Sequence, residues 1–334
     1  MAMLLSHLRF MLTQKDAFHM GEKGGRLLTL GVQDVHGTHE RLAALLAEAG
    51  VVPRTIPEDK RRYTASLIVP RERGYAHVKD LFHMMGYDEV ETLDYSDAEG
   101  ADHVHDLNHP VPEDLVARYD AVLDLGVLEH VCDTVQALHN CMRLLKTGGT
   151  VMHFVPLFGW HNMCYYNFQP MFLHEVYAAN GFGNLRTFIN YYPQYNEWED
   201  RPLIYREYQY GDEMLFVVPG RFSNICFFAT KTRETGAFTR PIQGFYQRYH
   251  ARSRDSGPGA RGRTSGEPDG RFVARIKAML PTPILDPLLY LNRRRIRFLD
   301  AVLPYWLRER IWLRQRTRFI RLLDRTRKRK VICT

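Results

Sequence analysis

The sequence is poor in cysteine, and its five (Cys132, Cys141, Cys164, Cys226 and Cys333) are scattered, with no CxxC pair among them. That scatter argues against a disulfide framework and a cysteine-built zinc site, and it fits a chain kept in a reducing cytoplasm. Long hydrophobic runs are also missing: no window reaches the roughly 18 consecutive apolar residues of a membrane-spanning helix. The opening MAMLLSHLRF interrupts its short apolar run at Arg9 and has no small-residue cleavage pattern, so it does not read as a secretory signal. Internal repeats are absent too.

What is present is an ordinary globular composition with unevenly placed charge. Of 334 residues, 45% are hydrophobic and 25% charged, enough for a full core in one large domain or two. The net charge is +7, yet residues 286–334 alone carry 15 Lys and Arg against 4 Asp and Glu. The remainder holds 30 basic and 34 acidic residues, so the excess of positive charge belongs to the tail. A uniformly basic, nucleic-acid-binding surface is not indicated.

Four segments follow from the patterning. Residues 1–26 read as a helical lead-in ending at Gly24-Gly25, and residues 27–235 alternate short β-type runs with helical periods. Such alternation marks an α/β body with a parallel sheet covered by helices. Residues 251–270, ARSRDSGPGARGRTSGEPDG, lack large apolar side chains and read as a flexible linker. Residues 271–334 return to apolar and basic residues at helical spacing. Within the body, strands are expected at 26–31, 90–96, 102–108, 119–125 and 150–156, and near 185–190, 214–218 and 224–230. Helices are expected at 38–50, 76–86, 133–145 and 171–182.

Open α/β sheets bind ligands beyond the carboxyl ends of their strands, where strand order reverses. After the first strand stands Gly31-Val32-Gln33-Asp34-Val35-His36-Gly37; Asp94 ends the second, Asp106 the third, and Asp124-Leu125-Gly126-Val127-Leu128-Glu129-His130 follows the fourth. A carboxylate at Asp94 can accept hydrogen bonds from both ribose hydroxyls of an adenosine, and Asp106 can meet the exocyclic amine. Backbone amides around Gly31 and Gly37 would face the other end of such a ligand. Either aspartate taken alone reads more readily as a turn cap. Their joint placement with the glycine turn and the later LLKTGG favours the nucleoside.

The run YDAVLDLGVLEHVCDTVQALHNCMRLLKTGGTVMHFVP, residues 119–156, resembles the class I S-adenosylmethionine-dependent methyltransferases in its strand, LEH turn, helix and LLKTGG turn. LDYSDAEGADHVHDLNHPVP, residues 93–112, is similar to a subgroup of methyltransferase-domain proteins associated with bacterial surface-polysaccharide gene sets. The resemblance spans residues 27–190. It implies a Rossmann-like, doubly wound, mostly parallel seven-stranded sheet with an antiparallel edge strand, and S-adenosyl-L-methionine as cofactor. It also implies Asp94 at the ribose, Asp106 with Leu107 near the adenine, and Asp124, Gly126 and Leu128 along the methionine end or substrate mouth. The first motif departs from the family's Gly-x-Gly-x-Gly: Gly31 and Gly37 remain, and Gln33 stands where a glycine is usual.

Methyl transfer from a sulfonium needs chiefly alignment, with a general base where the acceptor is a hydroxyl. His130 in the LEH turn and His161 in PLFGWHNMCYYNFQP are the candidates; His130 is equally placed to cap a helix start. Trp160, Tyr165 and Tyr166 beside His161 offer faces to a sugar ring or another flat acceptor, or form a lid on the sheet. His103 and His105 would share one strand face, but His109 lies past the strand beside Pro110 and no carboxylate besides Asp106 has ligand spacing, so no metal site is expected.

In the tail, Trp306, Leu313 and Ile320 recur every seven residues, with Trp312, Phe319 and Leu323 nearby and arginines between. Such helices lie in an anionic membrane interface, or pack on their own domain or a partner chain. No nucleic-acid-binding module accompanies them. The expectation is a cytoplasmic methyltransferase, peripheral on the inner membrane face, acting on a small-molecule or glycolipid acceptor, with O-methylation of a surface-glycan precursor as the reaction. Two rivals stand beside it: a non-catalytic binding or assembly module on a degenerate methyltransferase fold, and an RNA methyltransferase using the tail as a phosphate clamp.

Overall fold

Eleven strands and five helices occupy the residues described by the computed structural model, which are 2–18, 20, 24–66, 69–191, 204–210, 222–244, 246–247 and 331–333. In chain order they are β1 (Ala2–Met3), α1 (Leu5–Leu12), β2 (Arg26–Leu30), β3 (Asp34–Val35), α2 (His39–Glu48), α3 (Val78–Met84), β4 (Glu89–Asp94) and β5 (His103–Val104). There follow β6 (Tyr119–Asp124), α4 (Thr134–Leu144), β7 (Leu145–Phe158), α5 (Pro170–Ala179), β8 (Phe182–Tyr191), β9 (Ile204–Tyr208), β10 (Ser223–Lys231) and β11 (Val331–Cys333).

Strand β2 shows why the centre reads as a continuous apolar run. Leu27, Leu28, Thr29 and Leu30 are all fully buried, because helices cover both faces of the sheet. Alternate residues serve different cores, as the two-residue period of a strand requires. Leu27, Leu123, Phe154 and Phe228 pack with Leu8 of α1, Leu42 of α2 and Leu81 of α3. Leu28, Val122, Val155 and Phe227 pack with Leu138 of α4 and Leu173 of α5. Each buried Leu, Val or Phe of this kind contributes about 1.5–3 kcal/mol.

The main sheet runs β11-β9-β8-β10-β7-β6-β2-β4-β5. Its half from β7 to β5 is parallel throughout, whereas β10, β8, β9 and β11 join antiparallel. The chain steps outward from β2 to β4 and β5, then returns to β6 on the other flank of β2. Leu30 pairs with both Leu93 and Asp124, so three strand ends lie level around this reversal. That is the crevice where doubly wound sheets take ligands.

The expected mostly parallel α/β sheet is present, with nine strands rather than seven. The reversed strand β10 lies inside the sheet, between β7 and β8, and β9 and β11 extend beyond it. Residues 1–26 are not purely helical: Ala2 and Met3 pair in parallel with Asp34 and Val35 before α1 begins. The strand expected at 102–108 shrinks to two residues because Asp106 turns the chain by accepting from Asn108 N at 2.9 Å. The LLKTGG turn is a bulge within β7: Tyr119 pairs with Leu145, and the next pair is Ala121 with Thr150. A Cβ on Gly149 would sit 2.9 Å from Lys146 O and 3.1 Å from Asp120 O, so this close approach demands glycine. The expected strand at 214–218 and linker at 251–270 lie outside the described residues. So does the expected helical tail, except that 331–333 are a strand. Among the described residues no helix is long and apolar enough to cross a membrane.

Candidate functional site

A cavity of about 490 Å³ opens at the carboxyl ends of β2 and β4, walled further by residues 105–108, by Val127 and residues 130–132, and by Tyr165. The volume is in the range of small-molecule sites. Of the residues singled out from sequence, Gly31, Asp94, Asp106, Leu107, His130 and Tyr165 border it.

Gly31 makes the turn at the floor. Its φ is +77°, and its N–H donates to Leu93 O at 2.7 Å, tying the end of β2 to the end of β4. Asp94 reaches back across that junction, accepting from Val32 N at 3.3 Å and Ser96 N at 3.4 Å. Both bonds are long, so the carboxylate keeps acceptor capacity toward the cavity. Asp106 is more committed. One of its oxygens accepts from Asn108 N at 2.9 Å and Asn108 Nδ2 at 2.7 Å, and these donors hold its carboxyl below the usual range. Asn108 Oδ1 in turn accepts from Asp133 N at 2.8 Å, fastening this loop to the start of α4.

Other predicted residues shape the site from behind. Asp124 is fully buried, its carboxylate taken up by Val127 N at 2.8 Å and His153 Nδ1 at 2.9 Å. His153 Nε2 meets the Tyr177 hydroxyl at 2.5 Å. Leu128 lies in the core, and Gly126 makes the turn with φ +88°. Gly37 packs under α1, since a Cβ there would come within 2.8 Å of Leu5 Cδ2. Gln33 is buried, and its Nε2 donates to Leu30 O at 2.6 Å.

The two candidate bases part company. The His130 imidazole borders the cavity, and burial is the main cause that lowers its pKa. His161 is outside the lining, its ring edge-on to Phe158 at 5.9 Å. The aromatic loop also divides. Trp160 packs on Phe222 at 5.1 Å, Tyr166 donates to Cys132 O at 2.7 Å, and Tyr165 borders the cavity with its side chain largely exposed. His103 binds Glu91 at 2.8 Å, whereas His105 turns to His109 O at 3.1 Å, so these histidines do not converge.

Sequence reasoning passed over Tyr95, Asn108 and Cys132 on the cavity wall and the buried Glu129, and it weighed the wall residue His105 only as a metal ligand. Glu129 sits inside the LEH run, which was the available signal. Burial, then the neighbouring Asp124 charge, pushes its carboxyl well above the ordinary carboxylate range. Glu129 Oε2 and Gln33 Oε1 are buried without a hydrogen-bond partner in the protein. Each such atom costs about 1–3 kcal/mol and marks a place for a missing partner, a donor in the case of the Gln33 amide oxygen.

No family model matches the chain, and no curated protein matches it. Solved structures do, at low identity. Phosphoethanolamine N-methyltransferase 2 of Haemonchus contortus, in complex with phosphomonomethylethanolamine and S-adenosylhomocysteine, is 12% identical over 68% of this chain and 52% of its own, with TM-score 0.38. The chain thus spans about half of that enzyme. The 1,6-didemethyltoxoflavin-N1-methyltransferase of Burkholderia thailandensis is 14% identical over 68% and 80%, with TM-score 0.32. A SAM-dependent methyltransferase of Thermotoga maritima is 16% identical over 68% and 91%, with TM-score 0.31.

Proposed function

We propose that this chain binds S-adenosylmethionine in the cavity and transfers its methyl group to a hydroxyl-bearing acceptor. The observation that carries this reading is Asp94: a carboxylate at the strand-order reversal, on the wall of a cavity of about 490 Å³, with only long bonds to the protein. The sequence resemblance of residues 119–156 supports the same cofactor. Bound S-adenosylmethionine would supply a methyl carbon activated by a sulfonium. The unpartnered oxygen of Gln33, a side chain whose amide nitrogen abuts the Gly31 turn, fits a ligand that brings an N–H donor. Asp94 would accept the ribose hydroxyls, with Asp106 and Leu107 toward the base. His130, kept neutral by its lowered pKa, would take the acceptor's proton. Tyr95 and Tyr165, 77% and 73% exposed at the rim, would hold a flat acceptor. A surface-glycan or glycolipid precursor as acceptor rests on the resemblance of residues 93–112 together with the basic tail, and anchorage to an anionic membrane on the basic composition of 271–334.

A non-catalytic binding module is the second reading. It is favoured by the Gln33 amide, whose nitrogen lies 2.8 Å from the position of a Cβ on Gly31 and narrows the approach to that turn. Calorimetric titration of the full chain with S-adenosylmethionine and S-adenosylhomocysteine tests both. Binding of both, weakened about tenfold or more by Asp94→Ala, is expected from loss of charge-assisted hydrogen bonds. Absence of binding to folded protein would sink the enzyme. Binding without turnover across hydroxylated acceptors would favour the module.

A further inference from the structure

The polar groups on the cavity wall are unevenly committed. Asn108 is used at both ends of its amide, by Asp106 Oδ1 at 2.7 Å and by Asp133 N at 2.8 Å, and His105 Nε2 turns to His109 O at 3.1 Å. With Asp94 and Asp106 given to the nucleoside, the rest of the wall around the base is Val127, His130, Val131, Cys132 and Tyr165. That half offers one imidazole and one thiol amid aliphatic and aromatic surface. Among the described residues the whole wall holds two carboxylates and neither lysine nor arginine. This half is also held in place. Tyr165 N and Tyr166 N donate to Glu129 O at 2.9 and 3.3 Å, and the Tyr166 hydroxyl donates to Cys132 O at 2.7 Å. The Tyr165 and Tyr166 rings meet edge to face, with centroids 6.4 Å apart. Tyr165 is thus strapped to the turn that carries His130, while its side chain stays open to a ligand.

These features choose among hydroxylated acceptors. A sugar brings several hydroxyls, each of which loses affinity when desolvated without a partner, and this half of the wall has few side-chain partners to give. An arene with a single ring hydroxyl needs one partner and lays its face on Val131 and the Tyr165 ring. A phosphorylated or carboxylated acceptor would meet like charge from Asp94 and Asp106 with no cation on the wall to offset it. His130 adds to the choice. Its pKa is lowered, chiefly by burial, and a weaker base suits a more acidic hydroxyl. An aryl hydroxyl ionises at about pH 10, well below an aliphatic alcohol. We propose that the acceptor is an uncharged arene with one ring hydroxyl, seated against Val131 and Tyr165 with that hydroxyl at His130. This rests on the reading of the cavity as the S-adenosylmethionine site and names the acceptor class for it. The aryl oxygen forms its bond to the methyl carbon as the carbon–sulfur bond breaks; the electron pair stays on sulfur, and the hydroxyl proton goes to the unprotonated nitrogen of His130. Tyr165 then sets specificity, and a glycan acceptor, which the resemblance of residues 93–112 suggests, is the opposing outcome.

The test loads the full chain with S-adenosylhomocysteine and titrates three probes by calorimetry. Tyrosol carries a phenolic and an aliphatic hydroxyl on one uncharged molecule, para-hydroxybenzoate adds a carboxylate to the same phenol, and methyl glucoside stands for a glycan. Tyrosol should bind about tenfold or more tighter than either of the others, the range of one unpaired polar group. Tyr165→Ala should weaken tyrosol about fivefold or more while leaving S-adenosylhomocysteine within about twofold. With S-adenosylmethionine in its place, mass spectrometry should find the methyl group on the phenolic oxygen of tyrosol. Equal or tighter binding of the glucoside or of para-hydroxybenzoate overturns the proposal and leaves the cofactor reading standing. So does methylation of the aliphatic oxygen or of neither, tyrosol affinity that Tyr165→Ala leaves unchanged, or no tyrosol binding to a chain that binds S-adenosylhomocysteine. Folded wild type that does not bind S-adenosylhomocysteine overturns the cofactor reading and this proposal together.

Discussion

His153 and Asp124 meet at 2.9 Å in the interior, neither side chain exposing any surface, and Tyr177 closes the chain at 2.5 Å from the other ring nitrogen. Because Asp124 also holds Val127 N, a buried line of hydrogen bonds from α5 through β7 sets the turn that walls the cavity. Its parts should differ in cost. Tyr177→Phe leaves His153 Nε2 unsatisfied and should destabilise by about 2 kcal/mol. Asp124→Ala strands a buried imidazole and a backbone N–H and should cost about 3–5 kcal/mol. Urea denaturation of both variants checks the order; equal losses would contradict the line.

His7 gives a pH dependence whose sign is fixed. Its ring packs on Phe154, with centroids 5.7 Å apart. Burial, opposed by an Ala2 backbone bond and helped by His36, lowers its pKa from 6.5 to about 4. The unfolded chain therefore binds more protons than the folded one between these values. Stability from this group is complete above pH 6.5 and is lost as pH falls toward about 4, by on the order of 3 kcal/mol. His77, also lowered to about 4 and chiefly by burial, adds a parallel share. His7→Leu should flatten, but not abolish, the acid limb of the urea midpoint measured from pH 7 to pH 4; an unchanged slope would exclude His7 as a source.

Much of this was readable in the sequence where burial is two-sided and spacing regular. RLLTL, YDAVLD and the helices after Thr38 and Asp133 appear within a residue or two of expectation, because their caps and apolar periods agree: Thr38 accepts from Arg41 N and Asp133 from Gln136 N. β1 and β9 were not readable. Ala2-Met3 is too short to show a period, and Ile204–Tyr208 mixes charge with aromatics because its partners, not its composition, make it a strand. In the site, Asp94, Asp106 and His130 were legible from strand ends, whereas His153, Tyr177 and the apartness of His161 depend on contacts between distant segments.

Gly31→Ala should act on both stability and binding. A Cβ there meets Gln33 Nε2 at 2.8 Å, so the amide must leave Leu30 O, and a φ of +77° strains any L-residue by about 1–2 kcal/mol. Thermal unfolding should begin lower, and S-adenosylhomocysteine affinity should fall at least threefold, an effect of about 0.7 kcal/mol. A variant as stable as wild type would show the turn to be more tolerant than its geometry.

Asp94 and Asp106 should separate when each is truncated. Asp106→Ala frees Asn108 N and Nδ2 and should cost about 1 kcal/mol of stability, while weakening the ligand less than Asp94→Ala because the base loses one contact and the ribose keeps its own. Asp94→Ala gives up only long bonds in the protein and should do the reverse. Paired denaturation and calorimetry on the two variants decide; an identical pattern would erase the distinction between turn-holder and ligand contact.

Helix α1 carries one more consequence, for the order in which the molecule can assemble. Phe10 stacks on Tyr205 at 3.7 Å and meets Phe188 and Phe228, and Gln14 accepts from Arg186, 172 positions along the chain. These partners leave the ribosome long after α1, so during synthesis the Phe10 side of the helix waits uncovered while the parallel half of the sheet forms against Leu8. Closing that loop is a late and entropically costly step. Until it happens, the Phe10 side of α1 is open to chaperones and to misassembly.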